Sequence, residues 1–118
     1  MADQRTEGPR TAIHGEDPVL DRIITRLVDT YRPDRIYLFG SRGRGDSGPD
    51  SDYDLMVVVS DDAPRLLRRA APAYEALWEL HTAVDVLVWT REAFDSRLHL
   101  RASLPSTVRR DGRLVYSA

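Results

Sequence analysis

The sequence predicts an α/β (α+β) domain in which a small mixed β-sheet is flanked by helices. Segments with helical spacing of apolar residues alternate with short, almost wholly apolar segments, and this alternation is typical of a sheet covered by helices. The length of 118 residues fits one domain of ordinary size. With 42% hydrophobic residues, the chain has enough apolar side chains to bury a modest core.

The N-terminal part of the chain is expected to differ from the rest. Residues 1–17 are polar and are expected to form a disordered segment, which leaves residues 18–118 as the single domain. Asp17 followed by Pro18 is typical of a helix start, with the aspartate as N-cap. Apolar residues then recur at helical spacing as far as Tyr31, so the sequence predicts a first helix over this range.

Three strands are expected in the middle of the chain. A strand at 35–39 is followed by a loop at 40–51, which has room for a short helical turn, and by a second strand at 53–59. A helix at 61–81, which Pro72 is expected to kink or split, then leads to a third buried strand at 83–89. The remaining elements are expected to be a helix at 91–102, a helical turn at 105–110 and a short strand at 113–116.

The composition excludes several kinds of site. The chain has no cysteine, which excludes thiolate catalysis and Cys-type zinc sites. All 17 basic residues are arginine, so a Schiff-base lysine and a P-loop are excluded as well. The net charge of −2 gives no reason to expect direct binding of nucleic acid. No apolar run is long enough to span a bilayer, so we expect no membrane partner and a cytoplasmic location.

Two carboxylates stand at the mouth of an otherwise apolar strand. Asp52 and Asp54 are separated by one residue, so their side chains point to the same face, roughly 7 Å apart along the backbone. Like charges beside an apolar run repel each other and lose hydration. A cation held between them removes both penalties, and hard oxygen ligands favour Mg²⁺.

A third acid, Asp85, stands alone in the apolar stretch Ala83–Trp89. A strand–helix–strand crossover normally makes the two strands parallel neighbours, so Asp54 and Asp85 are expected to lie at the same end of the sheet. Asp52, Asp54 and Asp85 are therefore predicted to be both the metal ligands and the catalytic residues, for two Mg²⁺ ions. Asp85, expected nearest the acceptor, is placed to help deprotonate an attacking hydroxyl.

The loop before these acids has the features of a phosphate site. If the first strand is antiparallel to the second, Gly40 and Ser41 lie at the same end of the sheet as the acids. Glycine lets a phosphate approach the backbone, a helical turn presents free N–H groups, and serine adds a hydroxyl donor. Gly40, Ser41 and Arg42 are therefore predicted to bind a nucleoside triphosphate.

These residues resemble the DNA polymerase β-like nucleotidyltransferase superfamily. Its signature is Gly-Ser, ten residues, then Asp-x-Asp, with a third acid on a later strand. Here Gly40-Ser41 is followed by ten residues and then by Asp52-Tyr53-Asp54, with Asp85 at the third position. The small size and the "SDYDLMV" context are similar to the minimal nucleotidyltransferase (MNT) branch, whose fold the resemblance implies for this chain.

The resemblance also implies a partner and a reaction. MNT proteins are commonly antitoxins paired with HEPN-domain toxins, which are RNases. They transfer AMP from ATP to a tyrosine hydroxyl of the toxin and so silence it. For this chain the resemblance implies a Mg²⁺-dependent protein adenylyltransferase that acts on a HEPN toxin.

Two other functions remain open at this point. Relatives that modify aminoglycosides carry an added helical domain for the acceptor, for which this chain has little room, but a small-molecule acceptor is still an alternative. The second alternative is a non-catalytic antitoxin that neutralises its toxin by binding. The apolar surface left by so short a chain makes a homodimer or a hetero-oligomer plausible.

Overall fold

The computed structural model describes residues 10–11, 17–45, 48 and 51–118. Its strands are β1 (Arg10–Thr11), β2 (Arg35–Phe39), β3 (Tyr53–Val59), β4 (Val84–Thr90) and β5 (Arg113–Ser117). Its α-helices are α1 (Pro18–Tyr31), α2 (Gly40–Arg44), α3 (Ala71–Leu77), α4 (Arg91–Asp95) and α5 (Leu104–Asp111). Two short 3₁₀ turns at Arg65–Arg68 and Trp78–Leu80 flank α3.

The five strands form one mixed sheet in the order β1-β5-β2-β3-β4. The pair β3–β4 is parallel, and the other three pairs are antiparallel. The α/β (α+β) class and the small mixed sheet flanked by helices are therefore confirmed. The parallel pair arises because the chain between β3 and β4 crosses over one face of the sheet, as a strand–helix–strand connection normally does.

The helices cover the sheet on both faces. On one face α1 and α3 pack against alternate residues of the central strands, with Leu27, Leu55 and Leu77 among the buried side chains. On the other face α4 and α5 contribute Phe94 and Val108 to a second, smaller cluster. Side chains alternate along a strand, so β2, β3 and β4 each supply residues to both clusters. Full burial of one such large side chain stabilises the fold by about 1.5–3 kcal/mol.

The first helix has the boundaries that its sequence predicts. Pro18 stands in the first turn, and a carboxylate oxygen of Asp17 accepts a hydrogen bond from the backbone N–H of Leu20 at 3.0 Å. The helix ends at Tyr31, before a left-handed residue, Arg32, with φ of 47°. An N-cap of this kind is worth about 1 kcal/mol.

Most of the segment expected to be disordered, residues 1–17, lies outside the described residues. The two residues of β1 are described, and they pair with Ser117 and Tyr116 of β5. Asp17 is described as well, as the cap of α1. Disorder in the remainder of this segment, and a domain boundary at residue 18, stay predictions.

The helix expected at 61–81 is wrong in extent. The chain forms a 3₁₀ turn at Arg65–Arg68 and begins α3 only at Ala71. Pro72 explains the interruption, because proline lacks the N–H that a continuous helix needs but fits the first turn of a new one. Leu66 and Trp78, which a continuous helix would have turned inward, are instead 65% and 75% exposed.

The C-terminal elements also differ from the expected bounds. Thr90 caps α4 as predicted, but this helix ends at Asp95, and the chain continues in turns with hydrogen bonds between residues three apart. Leu100 is 50% exposed, so packing of this apolar side chain does not stabilise a longer helix there. Among the described helices, none has the length and apolar character required to cross a bilayer.

Candidate active site

The sheet places the two sequence motifs at the same end. Asp54 is the register partner of Phe39 in β2 and of Asp85 in β4. Neighbouring strands lie about 4.8 Å apart, and register partners project from the same face. For the two motifs to meet at one end, β2 and β3 had to be antiparallel, and β3 and β4 had to be parallel. The structure shows both pairings. We call this edge, where β2 ends and β3 and β4 begin, the Gly40 end of the sheet.

The carboxylate of Asp54 lies directly against the backbone of Gly40. A Cβ atom added to Gly40 would overlap Oδ2 of Asp54. The residue also has a φ of +69°, in the left-handed region that favours glycine. Both the conformation and the space therefore require glycine here, and they bring the first turn of α2 next to the Asp-x-Asp motif.

The electrostatics of Asp54 are unfavourable in the protein alone. Burial raises the pKa of its carboxyl, the negative charges of Asp85 and Asp52 raise it further, and Arg44 opposes them. Asp52 and Asp85 are therefore both close enough to Asp54 to repel its charge. This end of the sheet therefore collects negative charge that a cation would relieve.

The three acids differ in exposure. Asp54 is partly buried, whereas Asp52 and Asp85 are exposed. Within the described part of the chain, no group of three or more His, Cys, Asp or Glu side chains is arranged to hold a metal ion. The structure thus brings these acids to one end of the sheet without forming a closed set of ligands. Their roles as metal ligands and catalytic residues stay predictions.

Arg42 contacts the residue between the two acids. Its Nε donates to the carbonyl oxygen of Ser51 at 2.9 Å, and its guanidinium lies over the ring of Tyr53, 4.0 Å from the centroid. A stacked guanidinium is attracted to the negative face of the ring. Arg42 therefore ties α2 to the start of β3, and its predicted contact with phosphate stays a prediction. Ser41, in the first turn of α2, is partly exposed.

Tyr53 links this motif to the first helix. Its side chain points away from the acids into the larger core cluster, and its hydroxyl donates to Asp17, 2.9 Å from each carboxylate oxygen. Burial raises the pKa of Tyr53, and the hydrogen bond to Asp17 adds to this. Asp17 was expected only as a helix cap, but it also fixes the residue between Asp52 and Asp54.

Tyr74 is the site residue that sequence reasoning missed. A continuous helix at 61–81 would place Tyr74 on its inner face, whereas in the structure the hydroxyl of Tyr74 donates to Oδ1 of Asp85 at 3.2 Å. The local pattern gives only an aromatic residue at helical spacing, and the break at Pro72 changes which way it points. No signal in the sequence identifies this contact.

An open groove of about 440 Å³ begins beside Tyr74. Trp78 and His81 line it from the 3₁₀ turn that follows α3, and Val84 lines it from the start of β4. The exposure of Trp78 follows from its position on this groove instead of in the core. The groove therefore adjoins Asp85 on the outer edge of β4.

The comparison with known families agrees with this geometry. Residues 20–112 match the model of a family described as nucleotidyltransferase domain. The match covers most of the chain and includes both Gly40-Ser41 and the three acids. The chain belongs to the nucleotidyltransferase domain family, which confirms the broad class that the sequence motifs indicate.

Solved structures give the same fold. A toxin–antitoxin crystallised with AMP-PNP is 26% identical, with a TM-score of 0.56 over 83% of this chain and 73% of that chain. A variant of the toxin–antitoxin MntA–HpeT is 24% identical, with the same TM-score and coverage. A candidate nucleotidyltransferase from Sulfolobus solfataricus is 21% identical, with a TM-score of 0.55 over 81% of this chain and 75% of that chain. The curated proteins contain no match.

Proposed function

We propose that the protein transfers AMP from ATP to a tyrosine hydroxyl of a partner HEPN toxin, and so acts as its antitoxin. The observation that carries this proposal is the contact of Asp54 with Gly40, with Asp85 as the register partner of Asp54. A glycine–serine turn and a group of acids thereby share one end of the sheet. The similarity to a toxin–antitoxin crystallised with AMP-PNP supports the nucleotide and the kind of partner.

The residues present fit a divalent cation. The carboxylates of Asp52, Asp54 and Asp85 supply the hard oxygen ligands that Mg²⁺ prefers. Burial, together with the charges of Asp85 and Asp52, raises the pKa of Asp54, so its ionised form is disfavoured and a bound cation would stabilise it. Mg²⁺ would supply charge neutralisation at the transferring phosphoryl group, as metal ions do in phosphoryl transfer.

The β- and γ-phosphates would lie against the first turn of α2. The leading N–H groups of a helix have no partner within the helix, so they are free to donate to an anion. Gly40 has no side chain that would obstruct the phosphates, and the hydroxyl of Ser41 is a further hydrogen-bond donor. In this orientation the α-phosphate faces the acids at the starts of β3 and β4.

Transfer then follows as an in-line displacement. The oxygen of the acceptor hydroxyl forms a bond to the α-phosphorus, and the bond from that phosphorus to the bridging oxygen of the β-phosphate breaks. Pyrophosphate leaves with the electron pair of that bond. The hydroxyl proton passes to the carboxylate of Asp85, which acts as the general base.

The test uses α-labelled ATP, Mg²⁺ and the toxin encoded beside this protein. Label is expected on a tyrosine of the toxin, and the labelled toxin should lose its RNase activity. Asp52→Asn combined with Asp54→Asn should abolish labelling. Asp34→Asn combined with Asp95→Asn is the matched control, because it makes the same change in net charge at the other end of the sheet and should leave labelling intact.

Other results would point to the alternative functions. Label on an added aminoglycoside, with none on the toxin, would replace the proposal with a small-molecule transferase. Neutralisation of the toxin that survives Asp52→Asn combined with Asp54→Asn would indicate an antitoxin that works by binding alone. Either result overturns the transfer of AMP to the toxin as the physiological activity.

A further inference from the structure

The hydroxyl of Tyr74 makes two hydrogen bonds at the outer edge of β4. It donates to Oδ1 of Asp85 at 3.2 Å and accepts from the backbone N–H of Val86 at 3.0 Å. Its two partners are consecutive residues of an edge strand. A side chain from α3 therefore closes over the start of β4, at the acid proposed as the general base.

The direction of these two bonds is fixed by chemistry. A tyrosine hydroxyl has a single proton to donate, whereas a backbone N–H can only donate. The oxygen of Tyr74 must therefore accept from Val86, and its one proton is directed at Asp85. An ionised carboxylate can only accept, so the arrangement leaves no competing orientation for the proton.

The helix that carries Tyr74 is itself well anchored. Ala73 and Leu77, on either side of it in α3, are buried in the larger core cluster. Tyr74 is still 42% exposed, so burial alone does not account for its position. Its ring reaches from a fixed helix to an exposed carboxylate, and an exposed aspartate without such a bond would sample several staggered rotamers.

We infer that Tyr74 is a positioning residue, which holds the carboxylate of Asp85 in one orientation for nucleotidyl transfer. The inference rests on the proposed function for its catalytic consequence. Oδ1 is occupied by the tyrosine proton, and Oδ2 is left to face the reacting groups. The tyrosine acts through Asp85 and is not itself expected to touch the nucleotide.

A double-mutant cycle tests this role. Tyr74→Phe keeps the ring and removes the hydroxyl, and it is expected to lower kcat for transfer about 10-fold, the effect typical of removing a group that orients a functional side chain. KM for ATP should stay within about a factor of two, since the phosphate site is untouched. In the Asp85→Asn background, Tyr74→Phe should cause no further loss, because the residue through which it acts is already disabled.

Tyr31→Phe is the matched control. The hydroxyl of Tyr31 also donates and accepts one hydrogen bond, to the carbonyl oxygen of Arg69 and from the N–H of Ala73, but it does so inside the core and away from the acids. It should lower stability without lowering kcat in the folded protein. Equal losses of kcat in Tyr31→Phe and Tyr74→Phe, or additive losses in the cycle, would overturn the positioning role.

The orientation of Asp85 is measured separately by nuclear magnetic resonance. Three-bond couplings between its α and β protons should indicate one rotamer in the wild type and averaged rotamers in Tyr74→Phe. Averaged couplings in the wild type would overturn the inference. If the wild type transfers no label, the proposed function fails, and these couplings still decide whether Tyr74 orients Asp85.

Discussion

The two ends of the sheet differ in whether their acidic side chains form ion pairs. At one end, which we call the Arg35 end, Arg35 pairs with Asp95 at 2.8 Å and Arg91 pairs with Asp34 at 2.9 Å. At the Gly40 end, three aspartates gather at the starts of β3 and β4, and no ion pair among the described residues involves them. The charges at the Arg35 end are therefore paired with each other, whereas the acids at the Gly40 end mainly face like charges, with Arg44 opposing them.

The backbone differs between the two ends in where the left-handed residue lies. At the Gly40 end, Gly40 has a left-handed conformation, and its backbone lies against the carboxylate of Asp54. At the Arg35 end the left-handed residue is Arg32, which precedes β2 and contacts none of the three acids, and the pairing of β2 with β5 shifts register between Ile36 and Tyr37. The like charges around Asp54 cost stability, and a local cost of this kind is typical of a functional site, where a ligand can offset it. The contrast therefore supports the Gly40 end as the functional end.

Asp54→Asn should have the largest effect on activity. It is expected to lower transfer about 100-fold or more, as the loss of one stabilising group at a reacting phosphate does. It should also raise Tm, because it removes a charge whose pKa burial and the neighbouring acids raise. Labelling assays give the first result, and thermal unfolding in EDTA gives the second.

The gain in stability expected from Asp54→Asn should depend on pH. Asp54 has a higher pKa in the folded than in the unfolded protein, so its ionised form is disfavoured by folding. The Tm difference between Asp54→Asn and wild type should be largest at neutral pH and shrink as acidification protonates Asp54. A difference that grows on acidification would contradict the electrostatic contrast between the two ends.

Asp85→Asn is expected to lower kcat about 100-fold, as the loss of a general base does. Stability should change little, because Asp85 is exposed and its amide replacement still accepts from Tyr74. Circular dichroism and thermal unfolding check the fold, and labelling checks the activity. Unchanged labelling would remove Asp85 from the reaction.

Gly40→Ala should disturb both stability and activity. A non-glycine residue in the left-handed region costs about 1–2 kcal/mol, and the added Cβ would also displace the carboxylate of Asp54. Gly45→Ala is the matched control, because Gly45 has a φ of +85° with nothing within 4 Å of an added Cβ. Denaturant unfolding should show a cost in both variants, whereas labelling should fall only in Gly40→Ala.

Asp95→Asn should have the smallest effect. It removes the partly exposed ion pair with Arg35 at the other end of the sheet, and exposed pairs contribute about 0–1 kcal/mol. Arg35 keeps its contact over the ring of Phe94. Transfer should be unaffected, and Tm should fall by a few degrees at most. A loss of labelling in this variant would mean that the two ends are not independent.

By itself, the sequence determined the first helix, the strands β2 to β5, the pairing of β2, β3 and β4 around the site, and the grouping of Gly40 with Asp54 and Asp85. Apolar periodicity and capping residues depend on neighbouring positions in the chain, and the crossover rule depends on the order of the elements. A single sequence is therefore enough to predict them. Tertiary structure alone decided that Tyr74 reaches Asp85 and that Tyr53 is tied to Asp17. The first contact depends on how α3 is rotated over the sheet, where a few tens of degrees exchange a buried residue for an exposed one, and the second depends on where the start of α1 lies against β3.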